Sequence, residues 1–242
     1  SRHHALKRVF IRIVTRLLAV MDLQLVKRVK YSAEQRGKGM IWPMQADTMI
    51  GLKRLDNLQQ CLEDIIRDGV KGDLIETGVW RGGASIFMKA VLESSGEDSR
   101  RLFVADSFRG LPAPDDRLYP MDRGDKLHKF DFLAVSQEQV ENNFRKYGLL
   151  DDNVIFLKGW FKDTLPSAPI NELALIRLDG DMYESTMDAL SALYPRLNRG
   201  GYCIIDDYNL SGCRAATDEY RMRNGIDSPI QDIDGTGVYW RK

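Results

Sequence analysis

The residues of this chain best suited to chemistry lie between positions 175 and 207. One apolar run closes on Leu178-Asp179-Gly180-Asp181, a helical stretch follows, and a second apolar run closes on Ile204-Ile205-Asp206-Asp207. If the two runs are neighbouring parallel strands, up to four carboxylates crowd one edge of a sheet, and their mutual repulsion calls for a cation. Each aspartate singly could be no more than a cap or turn residue. Together, at two strand ends, they point to a metal site.

Residues 73–77 (DLIET) read as a short strand, followed by the turn Gly78-Val79-Trp80-Arg81-Gly82-Gly83 and a helix over 84–92. Glycines let backbone approach a ligand closely, and the free amides at a helix start favour a carboxylate or phosphate. The same kind of turn also serves simply to close a helix onto a sheet. Residues 102–106 form a second strand whose acidic tip, Asp106, stands where a ribose would be held in nucleoside-binding folds. A full GxGxxG is absent, which favours a nucleoside over a dinucleotide. A third strand over 153–158 ends in Gly159-Trp160-Phe161; Trp160 either flanks an adenine ring or packs in the core.

Further strands are expected over 173–179 and 202–206. A helix over 183–197 joins them, ended by Gly200-Gly201. Residues 51–69 carry Leu55, Leu58, Leu62, Ile65 and Ile66 at helical spacing before a terminal glycine. Ser136, with Gln139 three residues on, starts a helix reaching Tyr147. A polar helix over 211–224 and a hairpin of 230–233 with 237–240 complete the chain. Alternating strands and helices imply an α/β fold with a mostly parallel, doubly wound sheet, helices on both faces and ligands beyond the carboxyl ends of its strands. Residues 30–50 read as a loop or lid, and 107–135 as a long substrate-facing loop in which His128 is either a surface residue or a base. The expected domains are an N-terminal helix and lid over 1–50 and a catalytic domain over 51–242.

The 242 residues balance 35 basic against 35 acidic side chains, so no electrostatic footprint for nucleic acid or an anionic membrane exists. A small molecule is the expected partner. Three cysteines without a CxxC pair fit a reduced, cytoplasmic protein. No apolar run approaches the roughly 20 residues that span a bilayer. Residues 5–29 alternate basic and apolar positions at helical spacing. They suit a helix packed on its own core or on a second subunit of a homodimer, with a transit peptide or membrane-surface helix as the alternative.

DLIETGVWRGGA, ADSFRGLP, LDGDMYEST and the IDDY near the C-terminus, in this order, resemble the macrocin O-methyltransferase family. These are S-adenosylmethionine enzymes that methylate sugar hydroxyls of macrolides and related natural products. The resemblance, over residues 42–224, implies a Rossmann-like class I methyltransferase fold of seven strands, the reversed last strand supplied by 237–240. It implies a divalent ion, usually magnesium, held by Asp179, Asp206 and Asp207, with Asp181 as the base. Glu76, Gly78, Arg81, Gly82 and Ser85 are then expected near the methionine part of the cofactor, Asp106 at its ribose, and Ser107 and Trp160 near its adenine. Three other readings stay open: a metal-dependent methyltransferase of catechols or other phenols, a nicotinamide oxidoreductase, and a non-catalytic module on the same fold.

Overall fold

A computed structural model describes residue 14, residues 31–43 and residues 45–242. The helix expected over 5–29 therefore lies outside the described residues, Val14 apart. The chain divides into two units, Ser1–Ala33 and Glu34–Lys242, and the second carries the sheet.

A short helix, Ala33–Gly37 (α1), precedes an irregular segment that leads into α2, Leu52–Arg67. Leu58, Cys61, Leu62 and Ile65 of α2 are buried, the i, i+3, i+4, i+7 spacing of one helix face. The helix ends where Gly69 turns left-handed (φ 63°) and the Val70 amide reaches back to the Ile65 carbonyl. Then follow β1 (Asp73–Thr77), α3 (Gly83–Ser94), β2 (Leu102–Asp106), α4 (Gln137–Lys146), β3 (Val154–Lys158) and α5 (Phe161–Thr164). The chain continues through β4 (Leu173–Leu178), α6 (Tyr183–Leu193), β5 (Leu197–Ile205), α7 (Ser211–Arg223), β6 (Gln231–Asp232) and β7 (Val238–Arg241). As expected, Ser136 caps α4, its hydroxyl accepting from the Gln139 amide at 3.2 Å.

The seven strands lie in the order β3-β2-β1-β4-β5-β7-β6. Strands β1 to β5 are parallel, and β7 runs antiparallel to β5. After β1 the chain winds outward through β2 and β3, then returns to the other side of β1 with β4. The switch point, where neighbouring crossovers part and leave a crevice, is at the carboxyl ends of β1 and β4. The β-strand alternation sends Leu74, Val104, Leu175 and Ile204 into the core under α2, α3 and α4. Ile75, Phe103, Ile176 and Ile205 enter the core under α6 and α7.

Gly200-Gly201 were expected to end the helix after β4, and the structure corrects this. Helix α6 stops at Leu193, a 3-10 turn over Tyr194–Arg196 contains Pro195, and both glycines lie inside β5. The β4–β5 register jumps from Leu173↔Leu197 to Leu175↔Tyr202, so β5 bulges there. A Cβ on Gly201 would sit 2.6 Å from the Ala174 carbonyl oxygen, which is why the bulge takes glycine. Among the described residues no helix is long and apolar enough to cross a membrane.

Candidate active site

A cleft of about 380 Å³ opens at the switch point. Its floor is built by register. Glu76 of β1 lies directly opposite Arg177 of β4, so both side chains leave the same face of the sheet, and both are almost fully buried. Arg177 ion-pairs with Glu76, with Asp179 at 2.9 Å and with Asp206. Arg54 of α2 ion-pairs with Asp206 and with Asp234 at 3.1 Å. Ser85, fully buried in α3, donates its hydroxyl to Glu76. Burial nevertheless raises the Glu76 carboxyl to about 7, against the pull of Arg177 and Ser85.

The second half of the floor is the carboxylate cluster. Oxygens of Asp179, Asp181 and Asp207 come within 4.8 Å of one another, in a group able to hold a metal ion. Burial, then the neighbouring Asp179, raises Asp181 to about 8. Asp207 is raised well above the carboxylate range by burial and then by Asp181. Six acids here, Glu76, Asp179, Asp181, Asp206, Asp207 and Asp234, face two arginines, and a divalent cation is the charge that would relieve the excess.

Asp206 stands apart from that group, with both oxygens engaged by Arg54 and Arg177. Its amide bonds the Leu178 carbonyl at 2.8 Å just past the end of β5, where the chain enters a turn. Asp206 is paired with the arginines, whereas Asp207 accepts from the Asp181 amide at 3.3 Å. The three-acid group therefore differs in one member from the ligand set that the resemblance implies.

Asp181 has a left-handed backbone (φ 58°), as do Trp80 (φ 48°) and Phe108 (φ 54°). Each follows the carboxyl end of a strand around the cleft. Such conformations are costly for residues other than glycine and persist where surrounding structure imposes them. Gly78 (φ 78°) is under the same demand, and a Cβ on it would lie 1.7 Å from the Asp179 carbonyl oxygen. Left-handed backbone alone costs an alanine about 1–2 kcal/mol, before that clash. Gly78→Ala is accordingly expected to lower the melting temperature by about 5 °C or more; calorimetric melting at the wild-type temperature would contradict the close β1–β4 approach.

Glu76, Gly78, Asp106, Ser107 and Trp160 line the cleft. Asp106 accepts from the Val79 amide at 2.8 Å and the Phe108 amide at 2.7 Å, and so orders both turns beside it. The Trp160 ring stacks under the Arg109 guanidinium, 4.5 Å from it. Arg81, Gly82 and Ser85 are not among the lining residues. The Arg81 guanidinium covers the Trp80 ring and donates to the Ala46 carbonyl at 3.1 Å. Gly82 is the N-cap of α3 with the Val140 side chain behind it, and Ser85 reaches the ligand side through Glu76 alone. His128 is not among the cleft-lining residues; Leu127 and Leu133 of the same loop are. Arg54 and Arg177 were missed from sequence. A lone arginine in the apolar run LALIRL was the one available signal.

A family model described as macrocin-O-methyltransferase (TylF) matches residues 2–242. The chain belongs to the macrocin-O-methyltransferase family. It is an S-adenosylmethionine-dependent O-methyltransferase, and the oxidoreductase and non-catalytic readings fall away. The chain is 60% identical, over 86% of its length and 80% of the relative's, to the 8-demethyl-8-(2,3-dimethoxy-alpha-L-rhamnosyl)-tetracenomycin-C 4′-O-methyltransferase of Streptomyces olivaceus. It is 51% identical, over 90% of its length and 87% of the relative's, to the mycinamicin III 3″-O-methyltransferase of Micromonospora griseorubida. The solved structure of the O-methyltransferase NovP superposes with a TM-score of 0.87 at 47% identity, covering 97% of this chain and 98% of that one. The expected Rossmann-like class I methyltransferase fold is borne out.

Proposed function

We propose that this macrocin-family enzyme methylates a sugar hydroxyl of a glycosylated natural product, in antibiotic biosynthesis, with a divalent cation such as Mg2+ at its carboxylate cluster. The observation that carries the proposal is the convergence of Asp179, Asp181 and Asp207 in the same cleft as the Gly78 turn and Asp106. The relatives' names support the acceptor: 4′-O and 3″-O are primed positions, the numbering used for glycosyl carbons, and the first name prints a rhamnosyl group.

Methyl transfer from a sulfonium to oxygen is an in-line displacement, so alignment and a nucleophilic oxygen are what a protein can add. Glu76, Gly78, Asp106, Ser107 and Trp160 line one half of the cleft, where S-adenosylmethionine would lie. Asp181, ionised once a bound cation would offset the burial and neighbouring carboxylates that raise it to about 8, receives the proton that leaves the acceptor hydroxyl as the methyl–oxygen bond forms. A sugar hydroxyl is barely ionised near neutrality, and a cation when bound would lower its pKa and fix its direction. Asp179 and Asp207 would hold that cation. Asp206 completes the set by resemblance, and turning towards the cation would release it from Arg54 and Arg177. A homodimer and a cytoplasmic location belong to the same reading.

The test is a mass-spectrometric screen with S-adenosylmethionine, Mg2+ and panels of glycosylated natural products and of catechols. A gain of one methylene on a glycoside is expected, abolished by EDTA and restored by excess Mg2+. Full activity in EDTA would remove the cation from the scheme, and methylation confined to catechols would remove the sugar.

A further inference from the structure

Helix α6 begins without a cap of its own, since Met182 at the N-cap position makes no side-chain hydrogen bond. The Tyr183 and Glu184 amides donate instead to the two carboxylate oxygens of Asp122, at 2.6 and 3.0 Å. Asp122 is 4% exposed and closes a 3-10 turn, Pro120–Asp122, in the middle of the long loop over residues 107–135. The fit is close. A Cβ on Gly212 of α7 would lie 2.8 Å from Asp122 Oδ1 and 3.1 Å from the Tyr183 nitrogen, so glycine there lets the loop turn seat between the starts of α6 and α7. The Tyr119 and Tyr183 rings pack beside it with centroids 6.0 Å apart.

Two things depend on this seat. Upstream of Tyr183, the chain is Gly180-Asp181-Met182, the turn that holds Asp181 in its left-handed conformation. Downstream of Asp122, the loop supplies Leu127 and Leu133 to the cleft wall. Unfilled donors in a first helical turn are a strong demand, and a carboxylate at that position also meets the positive end of the helix. Here the demand is met from 61 residues away in the chain, so the cap ties a loop down as well as starting a helix.

We propose that Asp122 is a positioning residue for methyl transfer: its carboxylate clasps the 107–135 loop to the first turn of α6. It thereby fixes the Asp181 turn and the loop wall of the cleft in one arrangement. The proposal rests on the reading of Asp181 as the base.

Asp122→Ala, Asp122→Asn and Gly212→Ala in the full chain test it. Trypsin cleavage at the exposed Arg123, Lys126 and Lys129, together with hydrogen exchange, reports the loop. Calorimetry with S-adenosylhomocysteine reports the donor half, and steady-state kinetics the acceptor half. In Asp122→Ala the loop is expected to open about tenfold more often, the scale of one lost cap, and kcat to fall by a similar factor. S-adenosylhomocysteine affinity should stay at the wild-type value. Asparagine, accepting through one oxygen, should restore part of the loop protection. Gly212→Ala, which pushes on the clasp from the other side, should reproduce the alanine phenotype and decides the matter should Asp122→Ala fail to fold. Unchanged loop protection would overturn the clasp, as would loss of donor binding in step with turnover. Loop protection is read without turnover, so wild-type rates in Asp181→Asn would sink the base and leave the clasp measurable on its own.

Discussion

Asp181→Asn should silence methyl transfer while leaving both binding halves of the cleft intact. General base catalysis by a positioned carboxylate is worth about 10²–10⁴-fold, and that is the expected loss in kcat. The substitution is unusually clean because asparagine is among the few residues that tolerate the left-handed backbone present at this position (φ 58°). S-adenosylhomocysteine affinity, by calorimetry, should match the wild type, and so should Mn2+ affinity, by electron paramagnetic resonance. Wild-type turnover would remove Asp181 as the base. Loss of Mn2+ binding would make it a ligand instead, as its grouping with Asp179 and Asp207 allows, and would leave Asp206 with its arginines.

The largest stability effect is expected at Arg177. Its guanidinium, 2% exposed, is the counter-charge of Glu76, Asp179 and Asp206 at once. Arg177→Met removes that charge, leaves Glu76 buried without a cation and strips one partner from Asp179 and Asp206, so a loss of about 3–5 kcal/mol is expected. Urea unfolding at neutral pH measures it. Arg177→Lys should recover only part, because an ammonium cannot present the planar fork that meets several carboxylates together. Adding Glu76→Gln to Arg177→Met should give back some of the loss, since one orphaned charge is then gone. A methionine variant as stable as the wild type would show that these acids take up protons without cost.

What sequence alone revealed was set by which forces are local. Strand ends, glycine turns and the Ser136 cap depend on neighbours in the chain, and their positions were legible. The clustering of aspartates at two strand ends was legible as well, because parallel strands with crossover helices must align their carboxyl ends. The different surroundings of Asp206 and Asp207 were not, for the two are adjacent in a motif and take different partners in space. Arg177 was hidden for a related reason. Its partners come from β1, the end of β4 and the end of β5, and only the sheet register, Glu76 opposite Arg177, brings them to it. Asp122 lay in a loop whose length suggested function but whose one candidate by residue type was His128. The partner amides of Asp122 belong to backbone, which no side-chain pattern announces. Gly200-Gly201 were misplaced because a glycine pair reads equally as a helix stop or a strand bulge, and the close approach of β4 decides between them.

Arg177, which ties Glu76 of β1 to Asp179 and Asp206 beyond β4 and β5, also partitions the molecule for selection. A change of charge at Glu76, Asp179 or Asp206 alters the balance on both sides at once, so such positions can drift only in concert. The walls formed by Leu127, Leu133, Trp42 and Met49 carry no share of that balance. Substitutions in those walls are therefore expected to leave the charge balance beneath them unaltered, and sequence change can accumulate there one residue at a time.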